Sequence, residues 1–286
     1  MVLWGIALGA LEQGLAFSLM VLGVYVTFRV LDFPDLTVDG SFALGGACAA
    51  SLLVGGWGPV PATLVAGAGG ALAGVVTGLL HTRLRISGLL AGILTMTGLY
   101  SVNLRVMGRA NIPLLQETTL FTLVEEGRFA AGFSSLLLLL AIAAVAAFLL
   151  VAFLRTQIGL VLRATGDNQQ MVRSVGSSTA GAQVLGLAIA NGLVALSGAL
   201  IAQQQGFADA GMGVGTIVAG LASVIVGEAL FHPDSLGARA AAAVGGSVIY
   251  RAVVALALQL GFAPTDLKLV TSVIVVVALA APALAR

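Results

Sequence analysis

Apolar runs recur along this chain at lengths that suit a bilayer, with short polar punctuation between them. Read against the roughly 20 residues a spanning helix needs, they form about nine segments. The first is Val2 to Arg29, interrupted by Glu12 and Gln13, and the polar turn LDFPDLTVDG from Leu31 to Gly40 leads into a second, Ser41 to about Leu53. Pro61 to Leu80 and Ser87 to Met107 follow, then a polar stretch from Gly108 to Gly132 carrying Glu117, Glu125 and Glu126. The fifth run, Leu136 to Leu154, holds no charge at all; the sixth is Ala180 to Gly206, a short seventh Val214 to Leu230, the eighth Ala238 to Leu260 and the last Leu269 to Leu284. The pattern predicts an all-α polytopic membrane protein of about eight to ten helices, a single transmembrane domain over residues 1–286.

One polar island stands out between the fifth and sixth runs: RTQIGLVLRATGDNQQMVRSVG, residues 155–176. Asp167 is a suitable N-cap, Asn168 to Val175 can form two helical turns, and Gly176 sits where a helix commonly stops. Met171, Val172 and Val175 then share one face. The island is expected to be a short surface helix that docks on a partner; the plainer alternative is a solvated loop whose Arg155, Arg163 and Arg173 only fix topology. Placing it in the cytoplasm puts Arg29, Arg83, Arg85, Arg239 and Arg286 on the same side, against Arg105, Arg109, Arg128 and Lys268 opposite. That bias agrees with the positive-inside rule, an outside N-terminus and an inside C-terminus.

Composition sharpens the class. Hydrophobic residues make up 59% and charged ones only 9%, far from the roughly 25% charge of soluble domains. Aromatics are few at 6% while there are 38 glycines, which favours closely packed helices over a β-barrel. Gly70, Gly74 and Gly78 repeat every four residues, as do Gly88 and Gly92, and Gly5 and Gly9, so backbones are expected to approach along those faces. VDGSFALGGACA (38–49) and MGVGTIVAGLAS (212–223) echo one another from opposite sides, a hint of an inverted repeat. A net charge of +1 with scattered basic residues gives no reason to expect nucleic acid, and Cys48, His81 and His232 make no convincing metal site. Met1 to Ala10 lacks a basic n-region and a cleavage site, so insertion is expected to rest on the helices.

Charges inside apolar runs cost at least about 2.5 to 3.5 kcal/mol unless paired or wetted, so they are candidates for a route. Glu12 is expected to line the outer half of a path or to sit at an interface. Glu228 is either a path residue or a partner of Arg239, and Arg251 has no mate legible in the sequence. Asp32, Asp35 and Asp39 cluster around Pro34, which prevents a continuous helix; they cap and hinge the second segment or form an inner gate. Asn103, Asn191 and Gln203 to Gln205 are further path candidates or helix ties.

RVLDFPDLTVDGSFALGGA, RATGDNQQMVRSVG, LASVIVGEALF and DLKLVTSVIVVVALA together resemble the permease subunit of bacterial ABC importers of the branched-chain amino acid type. Within it they look most like the sub-branch described as a tryptophan or tyrosine transport system. The resemblance covers nearly the whole chain. It implies residence in the bacterial inner membrane, a pore formed with a second copy or a paralogue, two cytoplasmic ATPase subunits that carry ATP and Mg, and an extracytoplasmic binding protein. It also implies that the central segment is a coupling helix, with Arg163, Gly166, Asp167, Asn168, Met171, Val172, Arg173 and Gly176 as its residues. Glu12, Asp35, Asp39, Asn103, Asn191 and Glu228 are the expected path or gate. Gln169 and Gln170 stand where a Pro-Glu pair is frequent, which weakens the helix start.

The only lysine is Lys268, so the chain holds no Gly-Lys-Ser/Thr phosphate loop and any ATP must be hydrolysed by a partner. No Gly-x-Ser-x-Gly elbow and no HExxH motif suggests catalysis. The alternative reading is a secondary transporter coupled to H⁺ or Na⁺ through buried carboxylates.

Overall fold

Long apolar stretches with no partner for their backbone but themselves can only become helices in lipid. The computed structural model, which describes residues 2–126, 133–261 and 273, is accordingly helical. Its elements are α1 (Val2–Tyr25) ending in a π-helical turn (Val26–Val30), α2 (Thr37–Val54), α3 (Pro59–Thr82), α4 (Gly88–Met107), β1 (Asn111–Pro113), α5 (Leu120–Glu126), α6 (Ser134–Arg155), α7 (Gln157–Asp167), α8 (Gln169–Ser174), α9 (Thr179–Gln205), β2 (Phe207–Asp209), α10 (Thr216–Phe231) and α11 (Leu236–Gln259). Seven helices among the described residues are long and apolar enough to cross a membrane, and α10 is a shorter apolar helix. The protein is a multi-pass membrane protein. The expected ninth run, Leu269 to Leu284, lies outside the described residues apart from Val273, as do Arg128, Lys268 and Arg286.

The longest helix, α9, is the mast of the bundle, packed against α1, α2, α3 and α7. Its contact with α3 is the glycine stripe: a methyl at Gly70 would meet the Asn191 carbonyl and Ala195, one at Gly74 the Leu187 carbonyl, and one at Gly78 the Val184 backbone. The expectation of close approach along α3 therefore holds. Among the described residues nothing approaches Gly5 or Gly9 within 4 Å, and Gly88 and Gly92 receive Phe33 and Leu36 of the turn after α1 instead of a helix. Asp32 in that turn has φ +50, a left-handed conformation that aspartate tolerates better than most residues.

Two ends can be distinguished. The hairpin end carries α5 and the antiparallel β1–β2 pair, with Ile112 opposite Ala208. The elbow end carries α7 and α8. Gly206 closes α9 at the hairpin end with φ +77, and the chain then returns along α2, where Ala208 and Ala210 pack with Ala47, Ala50 and Leu53. Only at Thr216 does helix resume, and α10 runs on until Glu228 reaches Arg29. Residues 206–231 thus pass from one end to the other as a short strand and a run of turns followed by a helical half. The short seventh run is part of a crossing, and no sequence period announces its irregular first half.

Candidate functional site

The elbow between α6 and α9 is two helices, where the sequence suggested one. Thr156 caps α7 by accepting a hydrogen bond from the Gly159 N–H at 3.2 Å. Asp167 is the last residue of α7; the cap of α8 is Asn168, whose Oδ1 accepts from the Met171 N–H at 3.0 Å. Gly176, with φ +80, ends the turn as its glycine suggested. Nor do the three apolar residues share a fate. Val172 is buried at 2% exposure, while Met171 at 51% and Val175 at 71% project outward.

The arginines divide in the same way. Arg173 is used internally: its Nε donates to Thr179 Oγ1 at 3.1 Å and its Nη2 to Gln169 Oε1 at 3.3 Å, tying α8 to the first residue of α9. Gln169 accepts that bond in the place where proline is frequent. Arg163 has its Nε buried with no partner among the described residues. Gly166 fits α7 against the end of the first span, since a methyl there would run into the Val30 carbonyl and the Leu31 backbone. The elbow is therefore seated rigidly on the π-helical turn and on α9, with an apolar knob left outside.

Asp35 and Asp39 serve the chain break, each in its own way. Asp35 is buried; its Oδ1 accepts from the Thr37 N–H at 2.9 Å and its Oδ2 from Asn191 Nδ2 at 2.7 Å. Burial outweighs those bonds and pushes its carboxyl pKa up. Asp39 does not cap its own segment. Its Oδ2 accepts from the Gly215 N–H at 2.8 Å, and its Oδ1 from the Ile217 N–H at 2.8 Å and Thr216 Oγ1 at 3.0 Å, so it caps α10 from α2. From this meeting point α2 runs toward the hairpin end and α10 toward the elbow. The two echoing segments thus touch at their starts and diverge.

The remaining candidates are scattered. Asn103 is buried, with Nδ2 donating to the Gly40 carbonyl at 3.4 Å and Oδ1 unpartnered among the described residues. Asn191 Oδ1 is likewise unpartnered. Gln203 is a tie: it accepts from the Leu120 N–H at 3.1 Å and donates to Thr63 Oγ1 at 2.8 Å. Glu228 pairs with Arg29, not with Arg239, which lines the same cavity at the elbow end. Glu12 lies beside Arg251 in a polar cavity of about 390 Å³ at the hairpin end. Among the described residues no group of His, Cys, Asp and Glu could hold a metal ion. Sequence reasoning missed Gly213, Gly215 and Thr216, whose role depends on a partner in another helix.

Comparison with known proteins agrees with this architecture. The family model described as "Branched-chain amino acid transport system / permease component" matches residues 6–280. A tyrosine transport system permease protein of Clostridioides difficile is 44% identical over 273 residues, 96% of this chain and 90% of that protein. An uncharacterized protein of Rickettsia prowazekii is 34% identical over 278 residues, 96% of each chain. No solved structure matches.

Proposed function

Since the chain belongs to the permease components of branched-chain amino acid transport systems, we propose that it is the membrane-spanning subunit of an ATP-driven importer that moves a small solute, an amino acid, into the cytoplasm by alternating access. The elbow end faces the cytoplasm and the hairpin end receives substrate from a binding protein. A second copy of the chain completes the pore in the inner membrane.

The observation that carries this reading is the exposed apolar pair Met171 and Val175 on a short helix that Val172 and Arg173 anchor to the bundle. Two large apolar side chains held out beside charged groups suit a cleft on another protein. Gly166 against Val30, and Arg173 on Thr179, supply firm seats through which closure of two ATPases would displace α1 and α9 together. L-Tyrosine is the first substrate to try, given the name of the relative in Clostridioides difficile. The ion-coupled alternative loses one of its two carboxylates, because Glu228 is already held by Arg29.

Replacing Met171 and Val175 together by aspartate tests the docking. Loss of ATPase copurification and of uptake is expected, with the permease still inserted and folded. Undiminished assembly and transport would overturn the reading.

A further inference from the structure

The cavity at the hairpin end is walled by charged, amide and aromatic side chains. It opens between α1, α9 and α11 and is lined by Glu12, Gln13, Phe17, Gln204, Gln205 and Arg251. At about 390 Å³ it falls in the range of small-molecule sites. The Arg251 guanidinium stacks on the Phe17 ring, its central carbon 3.5 Å from the ring centroid. Among the described residues the only ion pair is that of Arg29 with Glu228, so neither Arg251 nor Glu12 is neutralised. Among the described residues Glu12, Gln13, Gln204 and Arg251 also make no side-chain hydrogen bond.

That combination is costly to keep in a membrane without a purpose. An arginine inside a spanning helix normally finds a carboxylate, and the nearest acidic group in this cavity stands apart from it. The aromatic shelf orients the guanidinium as a flat fork, the geometry that takes a carboxylate by two parallel bonds. Across the cavity Glu12 offers the complementary carboxylate. The free amides of Gln13 and Gln204 can donate and accept between them.

We propose that this cavity is a binding subsite for the zwitterionic end of a free amino acid, with Arg251 taking the α-carboxylate and Glu12 the α-ammonium. The subsite rests on the reading of the protein as an amino acid importer and adds to it where the pore first holds its cargo. It reads the group shared by all amino acids, so side-chain selectivity belongs to the protein that delivers them. A phospholipid headgroup carrying an amine and an acid has the same chemistry, and the test separates the two sources.

The purified permease in nanodiscs is examined by saturation-transfer difference NMR with L-tyrosine, L-alanine, tyramine and hydroxyphenylpropionate. Both amino acids are expected to bind, with tyramine and hydroxyphenylpropionate about 10- to 100-fold weaker, the usual loss for one charge-assisted contact. Arg251→Gln should erase the preference for tyrosine over tyramine, and Arg251→Lys should restore part of it. Glu12→Gln should erase the preference over hydroxyphenylpropionate. Phosphatidylcholine discs and discs containing phosphatidylethanolamine should give the same result; binding abolished by the second lipid would assign the site to a headgroup and overturn the proposal. Amino acid binding unchanged in Arg251→Gln and Glu12→Gln, or no saturable binding to the unsubstituted chain, would overturn it too. If cells still take up tyrosine through the assembled system, that failure leaves the importer reading standing; if they do not, both fall.

Discussion

Asp39 shows how much rests on one carboxylate. It closes the open end of a helix that begins 177 residues later in the sequence, by bonds to two N–H groups and a hydroxyl. Asp39→Ala should destabilise the folded chain by about 1 to 3 kcal/mol, read as the thermal unfolding midpoint in detergent. The acidic residues around Pro34 were visible in the sequence, and so was their fitness as caps. Which helix Asp39 caps was not, because nothing local specifies a distant partner. Asp35 carries a pH signature. Its folded form keeps the proton to higher pH than the unfolded chain, so stability falls as pH climbs from the ordinary carboxylate range through the raised native value. Asp35→Asn removes that titration and is expected to flatten the dependence of the unfolding midpoint over this range; an unchanged slope would assign it to other groups.

Individual helices were legible to differing degrees. A charge-free run such as Leu136 to Leu154 has one possible fate in lipid, and α6 duly spans it. The elbow was found as a polar island, yet its cap fell one residue late and Val172 turned inward, since amphipathic spacing marks a face without saying what will cover it. The π-helical turn and the β1–β2 pair had no periodic signal to give them away. Along α3, neighbouring glycines give a sharp contrast. Gly70→Ala must displace Ala195 and the Asn191 carbonyl and should cost about 1 to 3 kcal/mol. Gly69→Ala meets only ordinary contacts with Leu44 and Cys48 and should be neutral or stabilising by up to about 1 kcal/mol. Thermal midpoints of the two variants, measured side by side, check both.

At the scale of the whole molecule the class was legible, and so were the seven spans among the described residues, whereas the broken crossing of residues 206–231 was not. A half-span made of a short strand and turns is neither apolar enough nor periodic enough to be seen, and α2 shields its backbone. The two ends invite a topological test, made clean by Cys48 being the only cysteine and partly covered. Cysteine placed at exposed Asn111 should react with an impermeant maleimide on intact cells. Cysteine at Met171 should react only after permeabilisation. The reverse pattern would invert the proposed orientation.

The mast has a mechanical corollary. Helix α9 has Thr179 under Arg173 at its foot and Gln204, on the rim of the Glu12 cavity, at its head. A straight α-helix of 27 residues is about 40 Å long, so rocking it by about 3° about its foot swings the head by about 2 Å. Such a lever needs no relay of rearranging side chains between motor and mouth. Stiffness alone would let a nudge on the inner side loosen a grip on the outer one.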